Sequence, residues 1–212
     1  TVVCSGMDNF SAGLGNIDYK KVTGSDHIAG RYMRDGKWIG EYGSSCIDPS
    51  VLYDEKGNLW MFYGSWSGGI FLIKLDENTG LRDYSHNFGY GNSSEIWNNK
   101  SLVYGPYMGL HIAGGYYVSG EGSYVEYIKN PDGKGYYYLF MSYGFYSPEG
   151  GYSMRVFRSE SIDGKYVDVT GDSSVFSKYI FNYGDNVQNG VAIMQNYKWS
   201  WWNIGQTAQG HN

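Results

Sequence analysis

The sequence is poor in cysteine, in proline and in clustered positive charge. Its 212 residues include 2 cysteines, 4 prolines and 16 scattered lysines and arginines against 21 acidic residues, for a net charge of −5. Two cysteines are too few for a disulfide scaffold, and they form no CxxC pair, so whether Cys4 and Cys46 pair stays open. Scattered positive charge argues against a nucleic-acid surface or an anionic membrane patch.

Long apolar runs and helical periodicity are also missing. No stretch approaches the roughly 18 apolar residues of a membrane span. No window of a dozen residues repeats apolar side chains at i, i+3, i+4 and i+7. Short segments rich in β-branched and aromatic residues, bounded by Gly, Asn, Asp or Ser, occur instead at 58–63, 69–75, 136–142 and 152–158. They predict an all-β chain, and at this length one domain is the default.

Aromatic residues and glycine are abundant. The chain contains 23 Tyr, 7 Trp and 32 Gly, and aromatics make up 18% of it. Tyr and Trp favour strands and stack on flat ligand faces where they are exposed, whereas glycine suits tight turns. For any single aromatic residue, packing in a sheet is the simpler interpretation.

Two stretches, 48–75 and 121–159, have the same layout, and each begins at a carboxylate. Each contains three short apolar or aromatic strands separated by polar turns that include glycine, which is typical of a propeller blade. In a propeller the first strand of each blade lines the central channel. We therefore expect Asp48 and Glu121 to face one site.

The interval between these two carboxylates exceeds the roughly 40 to 50 residues of an ordinary blade. The surplus lies in residues 84–118, which we predict to hold the fourth strand of a blade and a long loop that shapes the binding surface. After Glu121, residues 160–200 are expected to supply outer strands, with a turn at Asp163-Gly164. The next inner strand would then begin near His211.

Five motifs occur in a fixed order along the chain. They are Ser45-Cys46-Ile47-Asp48-Pro49, Tyr63-Gly64-Ser65-Trp66-Ser67-Gly68-Gly69-Ile70, Glu121-Gly122-Ser123-Tyr124, the run 151–159 and Gly210-His211-Asn212. In order and spacing, across residues from about 43 to 212, they resemble the arabinanases of glycoside hydrolase family 43. The resemblance implies a five-bladed β-propeller that cleaves α-L-arabinofuranosyl or β-xylosyl linkages with inversion, and it is nearest to the endo-α-1,5-arabinanase branch.

The resemblance also implies roles for individual residues. Glu121 matches the general acid, and Asp48 matches the second carboxylate, which orients the acid and keeps it protonated. Ser65 matches a residue that contacts sugar beside the cleavage point, and Trp66 would extend the same wall. His211 matches the histidine that faces a metal ion, usually calcium, in the central channel.

The chain departs from the family at three places. The general base of the family is an aspartate in a His-Asp-Pro-like context well before the second carboxylate, and neither Asp8 nor Asp26 has that context, so we expect the base outside this chain. Ser123 stands where the family usually has proline. The segment 84–118 is longer than expected, which leaves the preferred substrate length open.

Inverting glycoside hydrolysis requires the same kinds of carboxyl groups. An inverting glycosidase needs a protonated carboxyl for the leaving oxygen and a carboxylate that activates water, roughly 6.5–9.5 Å apart. A further carboxylate near the acid keeps it protonated by like-charge repulsion. Glu126 lies farther along the strand and is expected to be solvated. His27, His86 and His111 form no ligand-spaced cluster and receive no role.

Three interpretations remain open at this point. In the first, residues 1–212 are part of one propeller catalytic domain acting on arabinan or arabino-oligosaccharides, with the remaining blades supplied by the same polypeptide or a second chain. The second is an exo-acting arabinofuranosidase or xylosidase of the same family, and the third is a non-catalytic glycan-binding propeller piece. An Asp in a His-Asp-Pro-like segment upstream of Thr1 would favour an enzyme. The resemblance further implies an extracellular or periplasmic protein without a membrane span.

Overall fold

A computed structural model describes the central part of the chain. It covers residues 47–66, 69–83, 85–86, 88, 109–115, 118–144, 152–176 and 189–195, together with the backbone of short strands at 33–34, 37–38, 197–199 and 206–208. Over these ranges every regular element is a β-strand. A helix of the length and apolarity needed to cross a membrane does not occur in them.

The strands of these ranges are named β1 to β12 in chain order. They are β1 Met33–Arg34, β2 Lys37–Trp38, β3 Ser50–Tyr53, β4 Leu59–Ser65, β5 Gly69–Leu75, β6 Leu110–Ala113, β7 Gly120–Lys129, β8 Gly135–Tyr143, β9 Ser153–Ser159, β10 Val191–Gln195, β11 Tyr197–Trp199 and β12 Gln206–Ala208.

Two four-stranded antiparallel sheets contain most of these strands. One has the order β3-β4-β5-β6 and the other the order β7-β8-β9-β10, so each strand pairs with its neighbours in the sequence. This meander is the arrangement of a propeller blade. The four strands predicted from composition are confirmed, and the fourth strands lie inside the two long intervals, as β6 within 84–118 and β10 within 160–200.

Tight polar turns that contain glycine connect the first two strands of each sheet. Between β3 and β4, Asp54 Oδ1 accepts the backbone N–H groups of Lys56 at 2.9 Å and Asn58 at 2.8 Å. Gly57 supplies the positive φ of 86° that this turn needs. Between β7 and β8, the N–H of Gly133 donates to the carbonyl of Asn130 at 2.9 Å. The predicted turn at Asp163-Gly164 is confirmed by a bond from the Gly164 N–H to the Ser161 carbonyl at 3.0 Å.

The core lies between the two sheets. Its fully buried members include Phe62 and Leu72 of the first sheet and Tyr137 and Leu139 of the second. Burying such side chains contributes roughly 1.5–3 kcal/mol each, so this contact holds the sheets in one relative position. The N–H of Trp66 also donates to the carbonyl of Gly120 at 2.9 Å, which ties the end of β4 to the start of β7.

Candidate active site

The carboxylates Asp48 and Glu121 lie at the same end of the two sheets. Asp48 precedes β3 by two residues, and Glu121 is the second residue of β7. Asp48 Oδ2 accepts a hydrogen bond from the backbone N–H of Gly122 at 3.2 Å, across a sequence separation of 74 residues. The repeat predicted that the two carboxylates would meet, and the structure brings Asp48 onto the residue next to Glu121.

A β-bulge sets the direction of Glu121. The register of β7 against β8 pairs Glu121 with Ser142 and then Tyr124 with Phe140, so two residues of β7 face a single residue of β8. Gly122, inside the bulge, has a φ of 59°, a conformation that glycine adopts without a steric penalty. Bulges of this kind re-aim a side chain next to an active site.

Three side chains donate hydrogen bonds to the Glu121 carboxylate. Ser65 Oγ and Trp66 Nε1 both donate to Oε2, at 3.3 Å and 3.0 Å. The hydroxyl of Tyr152 donates to Oε1. Each carboxylate oxygen therefore has its own donor, and the donors come from both sheets.

Backbone strain is concentrated at this site. Within the described ranges, Asp48 and Trp66 are the non-glycine residues with positive φ, at 52° and 41°. Aspartate tolerates this region, but a bulky tryptophan does so rarely and at a cost of about 1–3 kcal/mol. The surrounding contacts must hold Trp66 there, and its conformation brings the indole N–H to Glu121.

Tyr152 is buried, with 1% of its surface exposed. Burial is the main reason that its pKa lies far above the ordinary value of 10, and the hydrogen bond to Glu121 and the charge of that carboxylate raise the pKa further. A hydrogen bond with Ser142 opposes this, and the charge of Asp48 adds a smaller increase. The phenol therefore stays protonated and remains able to donate at neutral pH.

An open groove of about 760 Å³ runs beside Asp48. Its wall includes Val51, Tyr124, Phe140 and Met154, so it is mostly apolar with one carboxylate at its edge. Ligand pockets generally span about 300–1,000 Å³.

The predicted site residues fall into two groups. Ser65 and Trp66 donate to the Glu121 carboxylate, and Asp48 accepts from the backbone of the adjacent Gly122. His211 lies outside the described residues, as do Asp8 and Asp26. Glu126 is solvent-exposed as expected, and it accepts a hydrogen bond from the Tyr124 hydroxyl at 2.6 Å.

Sequence reasoning missed Tyr152. The residue lies just before β9, and the second copy of the repeat has Tyr152 where the first copy has Gly68. This difference between the two copies, glycine in one and a large hydroxyl-bearing residue in the other, could have drawn attention to Tyr152. The sequence does not show where the tyrosine side chain points, however, so its contact with Glu121 is evident only from the fold.

His86 and His111, the two described histidines, lie outside the site and pack against aromatic rings. His111 is fully buried against Phe71, with ring centroids 5.1 Å apart, and burial lowers its pKa to about 3. His86 packs edge-on against Trp60 at 5.2 Å, and burial lowers its pKa as well. No group of three His, Cys, Asp or Glu side chains able to hold a metal ion occurs in the described ranges.

Residues 9–204 match the family model described as Glycosyl hydrolases family 43. The chain belongs to this family. Two curated relatives support the assignment. The family 43 chain is 38% identical over 172 residues to the extracellular endo-α-(1→5)-L-arabinanase of Thermotoga petrophila, covering 79% of this chain and 32% of that protein. It is 32% identical over 210 residues to the extracellular endo-α-(1→5)-L-arabinanase 2 of Bacillus subtilis, covering 89% of this chain and 40% of that protein.

The likeness extends to a solved structure. The crystal structure of the endo-1,5-α-L-arabinanase from Thermotoga petrophila superposes with a TM-score of 0.57 at 35% identity, over 80% of this chain and 32% of the other. The family 43 chain thus forms part of a β-propeller, and it spans 32% and 40% of the length of the two curated relatives.

Proposed function

We propose that the complete protein hydrolyses α-1,5-linked L-arabinofuranosyl bonds in arabinan with inversion, and that residues 1–212 are part of its propeller catalytic domain. The observation that carries the proposal is the Glu121 carboxyl, held by donors on both oxygens beside Asp48. Membership of family 43 and the names of the relatives, which are endo-α-(1→5)-L-arabinanases, support this choice of substrate.

Glu121 is the general acid in this proposal. Its proton passes to the glycosidic oxygen as the bond between that oxygen and the anomeric carbon breaks. Water adds to the anomeric carbon from the opposite face and gives a proton to a carboxylate base, as in inverting glycosidases generally. That base lies outside the residues to which we assign a role. Glu121 is left ionised, and the hydrogen bonds from Ser65, Trp66 and Tyr152 stabilise its negative charge.

Asp48, Ser65 and Trp66 have supporting roles. Asp48 carries a negative charge beside the acid and anchors the bulge through the Gly122 N–H. Like-charge repulsion of this kind favours the protonated form of a neighbouring carboxyl. Ser65 and Trp66 form the wall next to Glu121, from which they contact the sugar at the cleavage point.

Endo action is proposed over exo action because the two curated relatives described above are named endo-α-(1→5)-L-arabinanases. An exo-acting arabinofuranosidase or xylosidase would release monosaccharide from the first minutes of reaction. An endo-acting enzyme would release oligosaccharides first. The product distribution from linear arabinan therefore separates the two, and absence of all products would favour a glycan-binding propeller piece.

The proposal extends to partners and location. The remaining blades are supplied by the same polypeptide or by a second chain, because the family 43 chain spans 32% and 40% of the length of its two curated relatives and a propeller closes only with all its blades. We place the protein outside the cell or in the periplasm, and the relatives named as extracellular support this.

Calcium near His211 is also part of the proposal. Such an ion would be held mainly by water, with the imidazole of His211 as one protein partner, because calcium prefers oxygen ligands. Its contribution would be electrostatic, since a positive charge under the site stabilises ionised carboxylates. We derive no catalytic step through it.

The central test compares two Glu→Gln variants of the complete protein. Glu121→Gln should lower the hydrolysis of linear arabinan at least about 100-fold, because general acid catalysis contributes roughly 10²–10⁴. Aryl arabinofuranosides with good leaving groups need little protonation and should be largely spared. Glu126→Gln makes the same exchange on the same strand at an exposed position and should leave both rates unchanged. Equal loss on both substrates, or none, would contradict the acid role.

A further inference from the structure

We propose that Tyr152 is a positioning residue for the acid: it holds Oε1 of Glu121 and stabilises the carboxylate that remains after proton transfer, and so sets the alkaline limit of activity. The inference deepens the proposed function and rests on it. The observation behind it is the hydrogen bond from the Tyr152 hydroxyl to Oε1, on the opposite side of the carboxyl from Ser65 and Trp66.

Donor chemistry distinguishes the two oxygens of Glu121. The indole N–H of Trp66 can only donate, so Oε2 is kept as an acceptor by a partner that cannot reverse. A phenolic hydroxyl can donate or accept. Tyr152 donates to Oε1, and this bond strengthens once the acid has given its proton to the glycosidic oxygen and the carboxylate is charged.

The surroundings keep Tyr152 in place for this role. Its side chain is almost fully buried, and the Ser142 hydroxyl of the adjacent strand bonds to it. Ser142 is itself the residue paired with Glu121 across β7 and β8. Ser142, Tyr152 and Glu121 thus form a short chain of hydrogen bonds, and each member limits the movement of the next.

Two charged groups face Tyr152 within the described ranges, namely Glu121 and, more weakly, Asp48. Both are negative, and with burial they raise the pKa of the phenol. Tyr152 consequently keeps its own proton at neutral pH, and it acts on Glu121 through the hydrogen bond to Oε1.

Tyr152 and Asp48 should have opposite effects on the protonation of the Glu121 carboxyl. A hydrogen-bond donor to a carboxylate favours its ionised form, whereas a nearby negative charge favours its protonated form. Loss of the Tyr152 hydroxyl should move the alkaline limb of the pH–rate profile to higher pH. Loss of the Asp48 charge should move it to lower pH. A purely structural tyrosine would lower activity without moving the limb.

The experiment compares Tyr152→Phe with Tyr143→Phe in the complete protein. Tyr143 is a buried tyrosine of the same sheet whose hydroxyl faces Met141 Sδ at 3.7 Å, so its variant removes the same atom away from the acid. We expect Tyr152→Phe to shift the alkaline limb of kcat on linear arabinan up by about one pH unit, as a hydrogen bond to a charged group implies. Tyr143→Phe should not shift it.

Placing 3-fluorotyrosine at position 152 tests the same bond in the other direction. This residue preserves the shape of the side chain and strengthens the donor, so the alkaline limb should move to lower pH. The variant also guards against a folding defect in Tyr152→Phe, which thermal unfolding would reveal. An unmoved limb in the fluorotyrosine protein and in a folded Tyr152→Phe protein would overturn the inference.

A second readout does not depend on activity. The ¹³C carboxyl resonance of Glu121, assigned by its loss in Glu121→Gln, can be titrated in the wild type and in Tyr152→Phe. The inference requires a higher titration midpoint in the variant, and equal midpoints would overturn it. Failure of the wild type to cleave arabinan would contradict the proposed function alone, while the titration would still decide the role of Tyr152.

Discussion

Asp48 Oδ2 and the backbone N–H of Gly122 are joined by a hydrogen bond of 3.2 Å that links the starts of two adjacent sheets. Gly122 follows Glu121 and lies in the bulge that aims it. The bond therefore couples the position of one carboxylate to that of the other. Asp48 acts on the site in two ways, as a charge and as an anchor for the bulge.

Asp48→Asn separates these two contributions. The amide oxygen of asparagine can still accept the Gly122 N–H, whereas the negative charge is lost. We expect the alkaline limb of the pH–rate profile to move to lower pH, by less than about one unit because Asp48 is solvent-exposed and its field is screened. Asp132→Asn, in an exposed turn, should leave the profile unchanged. A shift of equal size in both variants would show a general charge effect.

Removal of the proposed calcium should resemble the loss of His211. We expect His211→Ala and chelator treatment of the wild type to lower the rate on arabinan by similar factors, because both remove positive charge from the channel. Neither should move the pH optimum, since neither removes the acid. Chelator-insensitive activity, combined with a fully active His211→Ala protein, would return the residue to an ordinary hydrogen-bonding role.

The buried His111 should make stability depend on pH. Its folded-state pKa is about 3, whereas an unfolded histidine titrates near the ordinary value of 6.5. Below pH 6.5 the unfolded chain binds a proton at His111 that the folded chain does not bind. The contribution of His111 to the free energy of unfolding is therefore fully present above pH 6.5 and decreases as the pH drops toward 3. The limiting slope is about 1.4 kcal/mol per pH unit.

His111→Gln provides the comparison for this effect. Glutamine does not titrate, and its amide can still donate to the backbone of Ala113, with which the imidazole is hydrogen-bonded. Urea unfolding at pH 7.0, 5.5 and 4.5 should show a steeper loss in the wild type than in the variant. Parallel losses would mean that carboxylates alone cause the acid sensitivity.

Gly69 and Gly57 provide a matched pair for backbone packing. Both have positive φ, at 98° and 86°, so alanine is strained at either position. A Cβ on Gly69 would lie 2.3 Å from the carbonyl oxygen of Ala113, whereas one on Gly57 would meet nothing within 4 Å. We expect Gly57→Ala to cost about 1 kcal/mol and Gly69→Ala about 1–3 kcal/mol more in the free energy of unfolding. Equal costs would show that the conformation alone matters.

Ser123 and Ser174 differ in whether the buried hydroxyl has a partner. Ser123 Oγ is buried without a hydrogen-bond partner among the described residues, at the position where the family usually has proline. Ser174 Oγ donates to the carbonyl of Ile112 at 2.6 Å. Ser123→Ala should leave stability unchanged or raise it by about 1 kcal/mol, whereas Ser174→Ala should lower it by about 1 kcal/mol or more. Thermal unfolding of the two variants would test these expectations. Destabilisation by Ser123→Ala would indicate that Ser123 Oγ does have a hydrogen-bond partner.

Local composition was enough to locate the strands. The segments 59–65, 69–75, 135–143 and 153–159 agree with the prediction to within two residues, because β-branched and aromatic runs between glycine-containing turns have few alternatives. The fourth strands were placed only as parts of long intervals. Leu110–Ala113 is short and forms against β5 after a long excursion of the chain, so its pairing depends on tertiary contact.

The sequence by itself determined the all-β class, the repeat, and the carboxylates Asp48 and Glu121 at equivalent positions, because these depend on residue type and spacing along the chain. The tertiary structure decided which groups touch the acid. The bulge at Gly122 turns Glu121, the strained backbone of Trp66 delivers an indole N–H, and burial fixes Tyr152 on Oε1. Hydrogen-bond partners depend on directions and distances of a few ångströms between residues far apart in the chain, and only packing sets those.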